Sequence, residues 1–317
     1  KSFLAAPWHN DLKISPYNIT RSSISEIFNT IKILMNDAQN RGIKTSGSLI
    51  AGEDTFAVAN SKGLALYQPL GLIYAKILAM SDRLTGLSSF LSRDIAKLSL
   101  IKLFDEAQKK CSSALEPRAI QPGKYRVFLE PQAVADILEW MGYIGFGAKS
   151  IFEKRSFLYG RFGQKIMSDK ISIYDDATES GSYSIPFDFE GTPKKRIELV
   201  KNGIANDVVY DSYYGGIYAK QSTGHANVPD STEGPLPNNL SIMPGDWAVD
   251  EMVRAIDEGI YVSRFHYING LLEPRNALMT GLTRDGTFFV KNGETKFPIN
   301  NLRFTQGMLD AFSNIEK

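Results

Sequence analysis

Residues 116–123, Glu-Pro-Arg-Ala-Ile-Gln-Pro-Gly, are the clearest break in this chain, and the stretch that follows them, 124–149, is the one the rest is arranged around. Two prolines and a glycine so close together cannot continue a helix, and they set a domain boundary between residues 1–122 and 123–317. Directly after the break, Tyr125, Val127 and Leu129 alternate with Arg126 and Phe128, which predicts a short strand entering a sheet. Glu130 and Pro131 then open a helix, because proline loses nothing at a first helical position whose N–H has no partner anyway. Val134, Ile137, Leu138, Met141 and Ile144 repeat at helical spacing and form one apolar stripe for a core.

A chain of 317 residues, 43% of them apolar, can bury a large core in two domains or one big one. Its 36 basic and 35 acidic residues leave a net charge of +1, so no global field recruits nucleic acid or an anionic membrane. The single cysteine, Cys111, excludes an intrachain disulfide and a multi-cysteine zinc site; it reads as a small buried residue in a helical segment. No apolar run reaches the roughly 20 residues of a membrane span, and no signal peptide is visible, so cytoplasm is the expected location. The chain opens on Lys rather than Met, and the first domain is expected to lack its front.

Before the break, residues 1–22 read as a loop, and Ser23-Ile24-Ser25-Glu26 as a capping box. Ile24, Ile27, Phe28, Ile31, Leu34, Met35 and Ala38 follow as one helical face, ended by Gly42. Short extended runs at 48–50, 55–59, 64–67 and 72–80, separated by Gly52-Glu53-Asp54 and Asn60-Ser61-Lys62-Gly63, predict an antiparallel meander. A second helix over 93–115 places Ile95, Leu98, Ile101, Phe104 and Ala107 inward.

After the break, strands are expected at 171–174, 194–200 and 260–268, and helices at 247–258 and 305–315. Asn202-Gly203 and Asn292-Gly293 each fit a two-residue hairpin turn, where both residues need positive φ. Residues 221–246 read as one long loop, of a length that more often serves function than idles. The expected class is α+β: mostly antiparallel sheets with packed helices, in two domains, the first incomplete.

Three histidines, His9, His225 and His266, share no metal-ligand spacing. His225, within Ser222-Thr223-Gly224-His225, is the best functional candidate, while His266 sits in a strand and reads as packed. Asp175-Asp176 and Asp188/Glu190 have the chemistry of acid–base pairs, but the turn preference of Asp makes them read as solvated turns. Strand alternation would split Lys194-Lys195-Arg196 between two faces, so the run does not predict nucleic-acid binding.

From about residue 123 to 315 the chain resembles the TldD/PmbA family. The matching pieces are Phe187-Asp188-Phe189-Glu190-Gly191-Thr192-Pro193, Val200-Lys201-Asn202-Gly203-Ile204, Ser222-Thr223-Gly224-His225-Ala226, and the tail 281–294. The family has two branches, TldD-like zinc peptidases and TldE/PmbA-like partners. In the TldD branch a helix carries His-Glu-x-x-Gly-His, and a cysteine near the C-terminus completes the zinc site. That motif falls here on Leu138-Glu139-Trp140-Met141-Gly142-Tyr143: the Glu and Gly match, both histidines are replaced, and the sequence ends before the cysteine position. The resemblance is therefore closer to the non-catalytic branch, which pairs with a TldD-like subunit in a cytosolic peptide-degrading protease.

Three functional readings follow from the resemblance. The first is a TldE-like subunit of a TldD/TldE-type metalloprotease that degrades or processes peptides, with zinc expected only in the TldD-like partner and no cofactor in this chain. The second is a stand-alone peptide-binding homodimer. The third is a hydrolase using a non-zinc site, for example Glu139 with His225. Glu139, Tyr143, Thr223, Gly224 and His225 are the expected lining of a peptide groove, with backbone near Gly224 free to pair with an extended peptide. The catalytic residues expected in this chain are none, and neither nucleic acid nor membrane is an expected partner.

Overall fold

The computed structural model describes residues 21–178 and 184–316, with side chains from residue 24 onward. The loop expected at 1–22 lies almost wholly outside the described residues, as does His9. Helix α1 (Arg21–Asn40) already includes Ser23, so the expected capping box does not start it. Ala38 is fully buried, and Ile27, Ile31 and Leu34 pack against Leu100 and Leu103. Ile24, Phe28 and Met35, expected to face inward, are exposed. The supporting surface meets only a narrow line of the helix, and these three flank it.

The expected meander is built from longer pieces. Strand β1 (Lys44–Ala59) runs unbroken through Gly52-Glu53-Asp54 and pairs along its whole length with β2 (Ala65–Met80). The ladder supplied by β2 overrides the local turn preference of those three residues. Burial along β2 changes parity midway: Leu66, Gln68 and Leu70 are buried, and then Gly71, Ile73, Ala75 and Ala79. One half of the hairpin thus turns one face inward and the other half the opposite face, and its tip rests on Phe187 through Leu64 and Leu66. Strand β3 (Thr85–Ser92), not foreseen from the sequence, pairs with the Ile73–Met80 half of β2. Helix α2 (Leu100–Cys111) is shorter than predicted, because Asp94 caps a separate 3-10 turn and Ser99 then caps the helix. Leu100, Leu103, Phe104, Ala107 and Cys111 are buried, while Ile101, expected inward, faces solvent.

Past the break the elements are β4 (Arg126–Leu129), α3 (Pro131–Gly145), α4 (Ala148–Phe152), β5 (Ile173–Asp175), β6 (Ile197–Lys201), β7 (Ile204–Ala205) and α5 (Ser212–Ile217). Then come β8 (Leu240–Ile242), α6 (Val249–Arg254), β9 (Glu258–Glu273), β10 (Leu278–Lys291), β11 (Glu294–Pro298), β12 (Arg303–Gly307) and α7 (Met308–Ser313). One sheet has the order β11-β10-β9-β4, with β12 also on β10, and another has the order β7-β6-β5-β8. Pairing is antiparallel except between β4 and β9, so the α+β, mostly antiparallel class holds. Both Asn-Gly pairs sit in the left-handed region, with φ of 47° and 76° at Asn202-Gly203 and 51° and 74° at Asn292-Gly293. The long loop is not continuous, since β8 interrupts it to pair with β5. The main core joins Ile137, Leu138, Met141 and Ile144 of α3 to Ile260 and Val262 of β9 and to Ile173 and Leu199 of the smaller sheet.

Polar contacts join the elements before the break to those after it. Thr85 Oγ1 donates to Asp285 Oδ1 at 2.6 Å, and Lys110 of α2 pairs with Glu130, the residue before α3, at 2.8 Å. Among the described residues no helix is long and apolar enough to cross a membrane.

Candidate functional site

Two groups of residues form the candidate site. The first lies on α3, whose start is set by Pro131 at its first turn. Leu138 is 6% exposed and belongs to the core, so the sequence-predicted stripe is correct there. Glu139 points to solvent, as does Tyr143, which stands beside Glu233. Burial, then the neighbouring Glu233 carboxylate, push the Tyr143 phenol up. Gly142 is a point of close approach: a Cβ there would stand 2.8 Å from Leu240 Cδ1. The segment 233–240 therefore lies directly over α3.

The second group is a buried corner around Asp175. His225 Nε2 donates to Asp175 Oδ1 at 2.7 Å, and the Asn239 amide donates to Asp175 Oδ2 at 2.6 Å. One carboxylate thus holds both ends of the segment 225–239. The other ring nitrogen, His225 Nδ1, is 2.9 Å from Thr223 Oγ1, which also accepts the Tyr210 amide at 2.8 Å. His225 is 1% exposed and Asp175 fully buried. Burial pushes the Asp175 carboxyl up, but the His225 bond and charge, the Asn239 N–H and nearby Lys194 hold it below its ordinary value. Burial lowers the Lys194 ammonium, against the opposing pull of Asp175 and Asp188.

Gly224 has φ of +78°, and a Cβ on it would stand 2.4 Å from the Pro193 carbonyl oxygen. Its amide donates to Ser222 Oγ at 3.1 Å, while Thr223 exchanges backbone bonds with Tyr210 and Lys195. The Gly224 N–H and both backbone groups of Thr223, expected to be free, are thus bonded within the protein, and the Pro193–Lys194 chain lies against Gly224. Thr223, Gly224 and His225 come together as foreseen by their adjacency, but in the interior; Glu139 and Tyr143 stay on an exposed helix face. A Glu139–His225 catalytic pair finds no support, since both ring nitrogens of His225 are already engaged.

Of the carboxylates read as solvated turns, Asp175, Asp176 and Asp188 are buried and Glu190 is half-buried. Asp188 accepts the amides of Glu190, Thr192 and Ala226, and Glu190 accepts from the amide and hydroxyl of Ser212. Asp176 pairs with Arg196, whose guanidinium lies 3.8 Å from the Tyr174 ring centre. His266, read as packed, is exposed on β9. Asp175 is the residue sequence reasoning missed. Ile171, Ile173 and Asp175 share one strand parity, and that pattern alone places the carboxylate inward.

The α3 turn does not fit a zinc ion. Leu138 carries no donor and is committed to the core, which leaves the single carboxylate of Glu139 on a turn where zinc chemistry calls for imidazoles.

The model of the PmbA/TldA metallopeptidase C-terminal domain matches residues 122–317, and the chain belongs to the PmbA/TldD family. A metalloprotease of Methanocaldococcus jannaschii is 24% identical over 96% of this chain and 68% of its own length. A zinc metalloprotease TldD homolog of Saccharolobus solfataricus is 24% identical over 66% of this chain and 47% of its own length. The crystal structure of TldE from Thermococcus kodakarensis superposes with a TM-score of 0.82 at 20% identity, over 98% of this chain and 72% of that one. This chain spans about two-thirds or less of the length of these curated relatives.

Proposed function

We propose that this chain is a TldE/PmbA-like subunit that pairs with a TldD-like chain to form a zinc metalloprotease acting on peptides. The observation that carries the reading is the turn 138–143 of α3. By the resemblance it stands in the place of the family's zinc motif, yet one motif position is a core leucine and the other an exposed tyrosine beside Glu233. Metal-assisted peptide hydrolysis needs an ion that activates water, and by this reading the TldD-like chain holds it. What this chain contributes is a wall. Glu139 and Tyr143 face outward beside the segment 233–240, where they border the peptide chamber of the assembled protease.

The test is co-expression with a TldD-like chain from the same genome that carries an intact His-Glu-x-x-Gly-His. Expected are co-elution, one zinc per heterodimer, none on this chain alone, and hydrolysis of an unfolded peptide only by the complex. Stoichiometric zinc or chelator-sensitive hydrolysis by this chain alone would overturn the reading. A homodimer that binds peptide and ignores the TldD-like chain would establish the stand-alone alternative.

A further inference from the structure

The surface around α4 and α5 carries a row of three aromatic rings in contact and, flanking α5, a separate ring pair. Phe152 meets Tyr214 at 5.8 Å between ring centres, Tyr214 meets Tyr213 at 5.1 Å, and Tyr218 meets Tyr210 at 6.1 Å. Phe152, Tyr213, Ile217 and Tyr218 are 52%, 64%, 44% and 37% exposed. Single exposed apolar residues are ordinary, but large side chains joined into one patch mark an interaction surface. The row is also stiff. Asp211 caps α5 by accepting the Tyr214 amide at 2.7 Å, and Glu190 holds Ser212 from below. Rigid tyrosines bind at low entropic cost, which suits them to anchor a partner.

The rim supplies the charge. Lys149 and Arg155 pair with Glu153, and Lys220 pairs with Asp207. Lys154, Arg161 and Arg275 make no ion pair among the described residues, although the chain as a whole is nearly neutral at +1. Arg275 instead lies over the Tyr159 ring at 5.3 Å. An apolar centre with a cationic rim complements a surface whose aliphatic centre is ringed by carboxylates. Nucleic acid fits less well. Tyr213 and Tyr214 cross at 89° and Phe152 and Tyr214 at 62°, so the rings stand edge to face and form no row of parallel open faces for bases.

The patch is continuous with the candidate site. A Cβ on Gly234 would stand 2.8 Å from Lys149 Cβ and 3.3 Å from the Tyr214 ring, so the segment covering α3 also borders the aromatic row. A protein seated on the row would reach Glu233 and Tyr143.

We infer that the α4–α5 aromatic face is the docking surface for a protein with an acidic, aliphatic-centred surface, and that this protein is the TldD-like subunit. The inference rests on the subunit reading above. Its test is titration calorimetry of the TldD-like chain into this chain at two salt concentrations. The variants are Tyr213→Asp/Ile217→Asp and Lys154→Glu/Arg161→Glu, with Leu91→Asp on the first sheet as control. All substituted side chains are exposed or on the rim, and circular dichroism and melting confirm the fold of each variant. The first double variant should lose about 100-fold in affinity or more, because central aromatic and aliphatic anchors dominate interfaces. The charge-reversed variant should lose about tenfold and most of its salt dependence, and the control should bind like wild type. If both doubles bind with wild-type affinity, docking lies elsewhere while the subunit reading stands. If wild type forms no complex, the subunit reading fails and takes this inference with it. A fluorescent single-stranded oligonucleotide that binds wild type and not the variants would assign the face to nucleic acid and overturn the proposal.

Discussion

Replacing Asp175 by Ala and by Asn should give two different answers, because its carboxylate serves two donors at once. In Asp175→Ala the His225 Nε2–H and the Asn239 N–H both lose their acceptor at a site where the Asp175 and His225 side chains are fully buried. Each orphaned donor costs about 1–3 kcal/mol, so the loss should be about 4 kcal/mol. In Asp175→Asn the amide oxygen can still accept from Asn239, and the NH2 can donate to His225 if the ring moves its proton to Nδ1. Thr223 Oγ1 stands 2.9 Å from Nδ1 and 3.0 Å from the Tyr210 carbonyl, so it can accept from the ring and donate onward. That rearrangement keeps every group bonded, and the loss should be about 1 kcal/mol.

Urea unfolding of the three proteins measures the difference, with an unchanged slope expected for each. The acid side gives a second reading. Because the folded carboxyl is held below its ordinary value, its contribution is fully present above the unfolded pKa of about 4. It is lost as pH falls through the lower folded value. The advantage of wild type over Asp175→Asn should therefore shrink as pH is lowered below about 4. Equal losses for the Ala and Asn variants would refute the tautomer argument, and a loss below about 1 kcal/mol for Ala would refute the two-donor accounting altogether.

Gly293→Val should cost about 2–4 kcal/mol, since φ is +74° and a Cβ would stand 2.6 Å from the Arg254 carbonyl oxygen. Gly52→Val, mid-strand with nothing within 4 Å, should stay within about 0.5 kcal/mol of wild type in the same urea assay. Tyr261 donates to Glu130; burial and then that bond and charge hold its phenol far above the usual range. Its stabilising share is present below the unfolded pKa of about 10 and lost as pH climbs toward the folded value, so alkaline ultraviolet titration should find it silent up to the pH of unfolding. Glu130→Gln should bring its ionisation down.

The features legible in the sequence were those written in neighbouring residues. Pro131 and the stripe from Val134 to Ile144 specify α3 within one segment, and each Asn-Gly pair specifies its own turn. Features decided by distant partners were read wrongly. Gly52-Glu53-Asp54 has turn chemistry but lies opposite Gly71 and Leu70 in an unbroken ladder, and that ladder decides its conformation. Asp175 has turn chemistry too, yet its meaning comes from His225, 50 positions on. Strand parity with Ile171 and Ile173 carried a local hint of its burial, and residue type masked it. On α1 the apolar positions cover more of the helix than its neighbours do, and sequence periodicity cannot tell which edge stays bare.

Placing histidines at 138 and 143 would not by itself make a zinc site on α3. Residues 138 and 143 are five apart on a regular α-helix, which separates their directions by about 140°. Leu138 accordingly points into the core beside Ile137 and Met141, and Tyr143 points to solvent beside Glu233. With α3 wound as it is here the two positions do not face one ion, and Leu240 packed on Gly142 holds the turn as it is. The double variant Leu138→His/Tyr143→His restores the motif letters and not the geometry. It should lose about 2–4 kcal/mol from placing an imidazole where Leu138 packs. It should also leave dialysis with no stoichiometric zinc. One tightly held zinc per chain would refute this reasoning and show that α3 can re-register around a metal.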